Sequence, residues 1–371
     1  MKDSRFTAII LAAGLATRMK QFKPLLPVGS QTITDRVISI FRENGIGISL
    51  VVGWQKEELL TGITAKDVRI VFNPDYQQGM FTSVQAGLNS LESDCQAFFI
   101  MPVDIPLVRP FTIHRMLETA IKQPGKIIYP AFHGKRGHPP LIPTKLAPVI
   151  LEWGKEGNLK EVLESQESIA EEVSVPDENI VFDIDNPIAY EELLIRIQRY
   201  EFPTEKECEI ILKDIVNVSP ELLAHSYKVA EVATAIAHSL LTAGAKLNLE
   251  AVQSAAVLHD IAKGQDNHAA AGARLLQEMG FGIVGDIVAS HAVLPPDWLY
   301  LPLENKVVYL ADKYVAGDKV TLLEERFSAV MRRFGNDPNA EINIRMRHEK
   351  AIAVNKEIES IIDHEIWWEL H

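Results

Sequence analysis

The chain has 371 residues, of which 47% are hydrophobic and 23% are charged, a composition typical of a folded protein with about two domains. Its net charge of −13 excludes the basic surface of a protein that binds nucleic acid or an anionic membrane. Cys95 and Cys208 are too few for a disulfide framework, and no apolar run reaches the ~20 residues of a membrane helix. We therefore expect a cytoplasmic protein that binds neither nucleic acid nor membrane.

As far as about Tyr200, short β-rich runs alternate with segments of helical length. This rhythm predicts an α/β domain whose sheet is largely parallel and covered by helices. Two of the helices are predicted at 34–43 and 82–91. The predicted strands are 7–11, 48–52, 68–72, 97–101, 126–131 and 180–184.

After Tyr200 the pattern changes to long helical periodicity, and no convincing strand follows. A polar stretch at 201–206 that contains Pro203 separates the two patterns. We therefore expect an α/β domain at 1–203 and an all-α domain at 204–371. The predicted helices of the second domain are 220–242, 249–262, 267–279, 285–292, 303–316, 322–334 and a last one from about 340.

The first predicted strand ends in a small-residue turn, Ala12-Ala13-Gly14, which is followed by Arg18 and Lys23. Such a turn lets backbone N–H groups approach a phosphate closely, and two cations behind it supply charge to a triphosphate. An ordinary strand-to-helix turn is the alternative for the small residues alone. The spacing of both cations behind the glycine favours a phosphate-binding loop.

Five segments, in order, resemble motifs of the molybdenum cofactor nucleotidyltransferase family. They are the signature loop at 11–26, the Gly-Met-x-x-Ser helix start at 73–83, the metal-aspartate loop at 101–106, the acceptor-side motif at 136–139 and the closing acidic motif at 183–187. Lys20 and Val103 depart from the pattern, because glycine is usual at both positions.

The resemblance implies a Rossmann-like three-layer domain that uses Mg²⁺ to transfer a nucleotidyl group from a nucleoside triphosphate to a phosphorylated small molecule. Such transfer depends mainly on positioning and on neutralising developing charge. Within the family an Ala-Ala-Gly loop is associated with CTP and a Leu-Ala-Gly-Gly loop with GTP, so Ala13 favours CTP. The expected acceptor is a molybdopterin-type phosphate, and an expected partner is a molybdoenzyme or a cofactor-insertion protein.

Carried over residue by residue, the resemblance assigns Arg18, Lys23 and Asp104 to catalysis. Asp104 would also hold the Mg²⁺, with Asp183, or in its place Asp185, as the second carboxylate. A helix cap or a turn is the alternative role for an aspartate at a strand end, and a loop histidine such as His138 is often merely exposed. The expected substrate-binding residues are Leu11, Ala12, Ala13, Gly14, Gly79, Ser83 and His138.

The second domain contains histidines and aspartates at the ends and starts of its predicted helices. His259 and Asp260 are adjacent in an apolar context, where two titratable groups are costly to bury without a partner or a metal. Imidazole and carboxylate suit Mn, Fe, Zn or Mg-type ions, and helix bundles build such sites from inward-facing side chains. We interpret four other histidines as core or exposed residues: His238, His348, His364 and His371.

The pattern of His225, His259-Asp260 and Asp312 resembles the HD superfamily of metal-dependent phosphohydrolases over about 215–335. The resemblance implies one divalent metal held by His225, His259, Asp260 and Asp312. Asp260 would bridge to a second metal, held by His268 and His291. The six implied metal ligands are His225, His259, Asp260, His268, His291 and Asp312. Lys263, one helical turn beyond His259, would meet a substrate phosphate, unless it is a solvated lysine at a helix end.

The sequence favours a bifunctional enzyme, a nucleotidyltransferase joined to a phosphohydrolase, because all six implied metal ligands are present. In one alternative the transferase acts on a sugar or alditol phosphate, since this sheet, loop and metal chemistry would look alike for any such acceptor. In another, the HD domain is a regulatory module that senses a ligand.

Overall fold

The computed structural model describes residues 3–14, 21–154, 157–334 and 337–369. The chain divides into two compact units, Met1–Tyr200 and Glu201–His371, here called unit 1 and unit 2. Within the described residues, no helix combines the length and the apolar character that crossing a membrane requires.

Unit 1 is built on one large sheet. Its strands are β1 Asp3–Ala12, β2 Pro27–Val28, β3 Gln31–Thr32, β4 Ile46–Val52, β5 Arg69–Phe72, β6 Ala97–Pro102, β7 Ile127–Phe132, β8 Lys135–Arg136, β9 Leu141–Pro143 and β10 Ala170–Ser174. The order is β10-β7-β9-β6-β1-β4-β5, with β8 paired to β7, while β2 and β3 form a separate hairpin. The pairs of β1 with β4 and β6 are parallel, as are β4 with β5 and β7 with β10. Only β9 and β8 run antiparallel to their neighbours in this sheet.

Helices cover both faces of this sheet. They are α1 Ile33–Glu43, α2 Lys56–Gly62, α3 Met80–Leu88, α4 Pro110–Lys122, α5 Ala147–Glu152, α6 Leu159–Glu164 and α7 Pro187–Gln198. Ile9 of β1 packs with Phe81 and Val84 of α3 on one face, whereas Phe99 of β6 contacts Phe41 of α1 on the other. Alternate side chains of a strand point to opposite faces, so the buried central strands are apolar on both sides. The predicted three-layer α/β fold is therefore confirmed.

The predicted strand at 180–184 is wrong. Glu178–Val181 forms a 3₁₀ helix whose first turn is capped by the Asp177 carboxylate, which accepts a hydrogen bond from the Asn179 amide. Ile180 and Ile184 are fully buried, so their apolar signal reflects a loop packed into the core and not a strand. The last strand of unit 1 is instead β10, at the edge of the sheet. Its residues are mostly polar, so the apolar pattern expected of a strand is absent.

Unit 2 is helical. Its helices are α8 Glu205–Ile210, which continues as a π-helical turn Ile211–Ile215, α9 Pro220–Thr242, α10 Leu249–Leu258, α11 His268–Glu278, α12 Gly282–Ala289, α13 Leu303–Lys313, α14 Leu323–Phe334 and α15 Pro338–Ile362. Helix α9 packs against α10, α13 and α15, and its Val229, Ala233 and Ile236 are buried in the core. The predicted all-α architecture is confirmed for this unit.

Two local departures from prediction occur in unit 2. The chain forms a short antiparallel hairpin, β11 Val315–Ala316 with β12 Lys319–Val320, around Gly317, whose φ of 63° suits glycine. Helix α10 ends at Leu258 and not at 262, and the chain turns from there to Gly264, which has a φ of 93°. The turn carries His259, Asp260 and Lys263 off the helix.

Candidate functional sites

A cavity of about 340 Å³ opens where β1 and β6 end in unit 1. The carboxyl ends of parallel strands are where α/β sheets usually bind ligands. Its lining includes most of the catalytic and substrate-binding residues predicted for unit 1: Leu11, Ala12, Ala13, Gly14, Lys23, Gly79, Ser83 and Asp104. Arg18, the other predicted cation, lies outside the described residues.

A cation and two carboxylates meet in this cavity. The Lys23 Nζ lies 3.3 Å from Oδ2 of Asp104 and 3.8 Å from Oδ1 of Asp185. The backbone N–H of Ile184 donates to the Asp104 carbonyl at 3.0 Å, which aligns the acidic segment 183–185 with the end of β6. The structure therefore brings Asp104 beside Lys23 and puts Asp185, the alternative second carboxylate, within reach of the same ammonium group.

Asn73, which the sequence analysis did not single out, organises the loop that precedes α3. It is buried, and its amide donates to the hydroxyls of Thr82 and Ser83, both at 2.9 Å. Its carbonyl oxygen accepts from the backbone N–H of Asp75. Gly79 follows with a φ of 111°, a conformation that favours glycine. Its position directly after the predicted strand at 68–72 is the sequence signal that could have identified Asn73.

A second cavity of about 440 Å³, also in unit 1, shares Leu11, Met80 and Pro102 with the first. Most of its lining surface is apolar, although seven of the lining residues carry polar groups: Tyr129, Arg136, His138, Asn158, Lys160, Glu164 and Glu167. The Arg136 guanidinium lies 4.6 Å from the centre of the Tyr129 ring and is bound by the Glu167 and Glu172 carboxylates. This cavity suits a ligand with a largely apolar body.

His138 lies at the second cavity, near both predicted metal carboxylates of unit 1. His138 is exposed, yet desolvation by neighbouring protein groups lowers the pKa of its imidazole, and the negative charges of Asp104 and Asp183 oppose that shift. Its backbone N–H donates to the Ile180 carbonyl at 2.8 Å. A side chain at Gly137 would collide with the same backbone carbonyl. The loop 137–138 is thereby held against the buried segment around Ile180.

In unit 2, all six predicted metal ligands converge. His225 lies on α9, His259 and Asp260 follow α10, and His268 begins α11. His291 follows α12, and Asp312 lies in the last turn of α13. Two sets of donor atoms could each hold a metal ion: His225, His259 and Asp260, and then Asp260, His268 and His291.

Asp260 lies at the centre of this cluster and turns one oxygen toward each set. Its Oδ1 lies 3.3 Å from Nε2 of both His268 and His291. Its Oδ2 lies 3.4 Å from Nε2 of His259 and 3.9 Å from Nε2 of His225. Burial acts to raise the pKa of Asp260, but the neighbouring imidazoles of His259 and His291 outweigh it and hold the pKa well below the usual range. This carboxylate is therefore arranged to bridge two ions.

Three of the imidazoles are oriented by backbone carbonyls. The Nδ1 atoms of His225, His259 and His291 lie 2.7 to 2.8 Å from the carbonyl oxygens of Gly317, Ala256 and Val288. A backbone acceptor at Nδ1 sets the tautomer, so that Nε2 presents its lone pair to the centre. Gly317 belongs to the β11–β12 hairpin, which the sequence analysis did not anticipate.

Asp312 completes the cluster from α13. Its Oδ1 lies 3.3 Å from Nε2 of His225 and 3.8 Å from Nε2 of His259. Two cations that the sequence analysis did not identify also approach it, Lys313 at 2.6 Å from Oδ2 and Arg326 at 3.5 Å from Oδ1. Burial favours a raised pKa for Asp312, but the Lys313 charge and the neighbouring His225 imidazole hold it well below its usual value.

Buried polar atoms of the cluster support metal binding. Among the described residues, Nε2 of His259 and Oδ1 of Asp260 are buried and have no hydrogen-bond partner of good geometry. Such atoms carry a desolvation cost unless a ligand pairs with them. Imidazole nitrogens and carboxylate oxygens are suitable donors for divalent Mn, Fe, Zn or Mg. The residues present therefore fit one or two divalent metal ions.

The other histidines lie elsewhere. His238 and His364 are exposed, and the His348 ring stacks on Phe327 with centroids 4.6 Å apart. His371 lies outside the described residues. Lys263, by contrast, is at the cluster, with its Nζ 2.6 Å from Oδ2 of Asp260 and its side chain 53% exposed.

Comparison with known proteins separates the two units. The family model described as the MobA-like NTP transferase domain matches residues 8–170, and the HD domain model matches residues 222–317. The molybdenum cofactor cytidylyltransferase of Escherichia coli (strain K12) is 30% identical over 186 residues, which are 50% of this chain and 93% of that protein.

Two further proteins are similar to unit 1. The bifunctional protein GlmU of Gloeobacter violaceus is 32% identical over 118 residues, which are 31% of this chain and 26% of that protein. The chain thus spans about a quarter of that relative's length. Among solved structures, a nucleotidyl transferase from Methanothermobacter is 20% identical and has a TM-score of 0.48, covering 53% of this chain and 98% of that one.

The first relative is matched over nearly its whole length, and the matched family model covers the strands and loops that line the unit 1 cavity. The chain therefore belongs to the MobA-like NTP transferase family through unit 1, and it carries an HD domain in unit 2.

Proposed function

We propose that unit 1 transfers a cytidylyl group from CTP to a molybdopterin-type phosphate. The observation that carries the proposal is the pairing of Lys23 with Asp104 at the strand ends, in a cavity next to a second, largely apolar one. An oxygen of the acceptor phosphate attacks the α-phosphorus of the triphosphate, the bond from that phosphorus to the bridging oxygen breaks, and pyrophosphate leaves. Lys23 neutralises charge that develops on the phosphates.

Mg²⁺ fits this site because Asp104 offers carboxylate oxygens at the cavity. Asp183 lies nearby, since the charges of Asp104 and Asp183 both act on the His138 imidazole. When bound, the ion would offset the negative charge of the phosphates. Asp104 would hold it, with Asp183, or Asp185 in its place, as the second carboxylate. In the proposal Arg18 adds a further positive charge, Gly14 and Gly79 admit the phosphates, and Ser83 contacts the nucleotide.

The choice of nucleotide and acceptor rests on two supports. The relative with the longest match to unit 1 among those described is named a molybdenum cofactor cytidylyltransferase. The second cavity is mainly apolar and is lined in part by Tyr129, so it suits an acceptor with a largely apolar body. His138 would contact the acceptor, and a molybdoenzyme or a cofactor-insertion protein would receive the product.

A second candidate keeps the transfer chemistry and changes the acceptor to a sugar or alditol phosphate. The similarity to GlmU and to a bifunctional IPC transferase and DIPP synthase of Rubrobacter xylanophilus favours it. Pyrophosphate release should be measured with the full chain, CTP or GTP, and each acceptor class in turn. Turnover with a sugar phosphate but not with molybdopterin would select this second candidate.

We propose that unit 2 is a metal-dependent phosphohydrolase, with a domain boundary at 203/204, where Thr204 and Glu207 form a capping box that begins α8. Support comes from the six convergent ligands and from the oxygens of Asp260, which face both donor sets. Two divalent ions would supply Lewis acidity and an activated water. His225, His259, Asp260 and Asp312 would hold one ion, and Asp260, His268 and His291 the other.

Lys263 would bind a substrate phosphate, because its ammonium group lies beside Asp260 yet its side chain is largely exposed. The alternative is a regulatory domain that senses a ligand without hydrolysing it. After reconstitution with Mn²⁺, Zn²⁺, Fe²⁺ or Mg²⁺, a panel of phosphoesters and phosphoanhydrides should be screened for phosphate release. Stable metal binding without turnover of any of these compounds would favour the sensor.

A further inference from the structure

Arg326 approaches the unit 2 cluster from outside the part of the chain that the HD domain model matches. That match ends at residue 317, whereas Arg326 lies in the first turn of α14. Its Nη2 is 3.5 Å from Oδ1 of Asp312, and its side chain is 23% exposed. The guanidinium is thus close to the proposed metal centre and still open to solvent.

Asp312 does not need Arg326 to balance its charge. Its Oδ2 is paired with the buried Lys313, whose Nζ lies 2.6 Å away and also donates to the His291 carbonyl at 3.1 Å. Its Oδ1 faces His225 at 3.3 Å. Arg326 is therefore a second cation at a carboxylate that already has a close ammonium partner.

The contact of Arg326 with Asp312 is also a loose one. A strong charge-assisted hydrogen bond between such groups is about 2.7 to 2.9 Å long, and this one is 3.5 Å. Guanidinium has five N–H donors in a planar fork that matches phosphate oxygens. Among the described residues, Asp312 is the only acidic side chain with an ion pair to Arg326. Most of its donors are therefore available to an incoming anion.

The backbone around Arg326 is tied to the cluster. Gly317, in the hairpin before α14, holds Nδ1 of His225 at 2.7 Å, and the Thr321 N–H donates to the Tyr314 carbonyl at 2.9 Å. Leu323 and Phe327 of α14 are buried on either side of Arg326. These contacts fix the start of α14 relative to α13, so the guanidinium is held near the centre and is not a freely moving surface group.

We propose that Arg326 is a substrate-binding residue of the unit 2 site and contacts a phosphate group of the substrate. The inference rests on the proposed phosphohydrolase function. Lys263 stands at Asp260 and Arg326 at Asp312, so cations flank the cluster at both of its aspartates. A phosphate bound at the centre would meet the positive charge of the metal and the Arg326 guanidinium, whose planar fork can bind two phosphate oxygens at once.

The test uses the full chain reconstituted with metal and inorganic phosphate as the probe. Phosphate affinity is measured by titration calorimetry for the wild type, Arg326→Gln, Arg326→Lys and the control Arg332→Gln, an exposed arginine of the same helix. We expect Arg326→Gln to weaken phosphate binding at least about tenfold. Arg326→Lys should recover part of that loss, and Arg332→Gln should bind as the wild type does. Metal content and Tm should be unchanged in all three.

Two outcomes would overturn the inference. In the first, Arg326→Gln binds phosphate as tightly as the wild type. In the second, it binds phosphate more weakly but also loses bound metal or thermal stability to a similar degree. In either case Arg326 is only a structural partner of Asp312. A wild-type chain that retains no metal would instead overturn the proposed phosphohydrolase function, and this inference with it. Elemental analysis of the wild type separates the two failures.

Discussion

The two candidate sites manage charge in opposite ways. Among the described residues of unit 1, Lys23 and Asp104 line an open cavity at the strand ends, and both are partly exposed. In unit 2 the central residues His259, Asp260 and His291 are at most 2% exposed. The proposed reaction of unit 1 has two phosphorylated substrates and two products, so its site must be open to solvent. Most of the charge at that site would come from the substrates and not from the protein.

The unit 2 cluster instead carries its charge inside the protein. Two aspartates and three cations, Lys263, Lys313 and Arg326, lie there at ion-pair distances. Two buried polar atoms of the cluster, Nε2 of His259 and Oδ1 of Asp260, lack a partner of good geometry among the described residues. Such burial is unfavourable until a ligand pairs with those atoms. We therefore expect unit 1 to depend on single residues for activity, and unit 2 to depend on metal for both activity and stability.

The largest expected effect concerns the Asp104 carboxylate in unit 1. Asp104→Asn keeps the side-chain shape but removes the charge that would hold Mg²⁺, so nucleotidyl transfer should fall about 100- to 1,000-fold or more. Metal-dependent phosphate release by unit 2 should be unchanged in the same preparation. The measurement is pyrophosphate release with CTP and acceptor, and the matched control is Asp94→Asn, an exposed residue before β6. Undiminished pyrophosphate release would remove Asp104 from the site.

The second prediction makes the corresponding change in unit 2. Because Asp260 faces both donor sets, Asp260→Asn should lower metal content and phosphate release together, the latter at least about 100-fold. His268→Gln should lose mainly one of two metal equivalents. Elemental analysis and phosphate release are the measurements, with Asp266→Asn, exposed in the next turn, as the control. Full metal content in Asp260→Asn would contradict the bridging role.

The third prediction tests whether the open loop of unit 1 selects the base. Ala12-Ala13-Gly14 at the cavity should make CTP the preferred donor over GTP by roughly tenfold or more, because base contacts differ between the two nucleotides. Competition between equal concentrations, followed by chromatography of the products, gives the ratio directly. An excess of guanylyl product would reverse the assignment.

The smallest expected effect is on the stability of unit 2. Free metal at 100 times its Kd should add about 2.7 kcal/mol, which corresponds to a rise in Tm of roughly 5 to 10 °C for a domain of this size. Chelation with EDTA should lower the Tm of the wild type by that amount and leave the Tm of Asp260→Asn unaffected. Differential scanning calorimetry of the full chain tests both. An equal shift in both proteins would show that the stabilising metal does not bind this cluster.

Much of the fold follows from the sequence. Strands that are buried on both faces of the sheet, such as β1 and β6, appear as continuous apolar runs, whereas helices show apolar residues at a repeat of about 3.6 residues. The error at 180–184 has the same origin, since Ile180 and Ile184 are buried by a loop that has no periodicity of its own. The hairpin around Gly317 escaped prediction because two-residue strands are too short to leave a pattern.

By itself the sequence determined the chemical inventory: which residues are titratable, that His259 and Asp260 are adjacent in an apolar run, and that a small-residue turn follows the first strand. Only the tertiary structure decided which of them meet. Asn73, Lys313 and Arg326 belong to residue types that are common on any surface. They acquire a role through contacts with residues up to 22 positions away, as from Lys313 to the His291 carbonyl. Packing of separate helices brings such side chains together, and no local pattern along the chain records it.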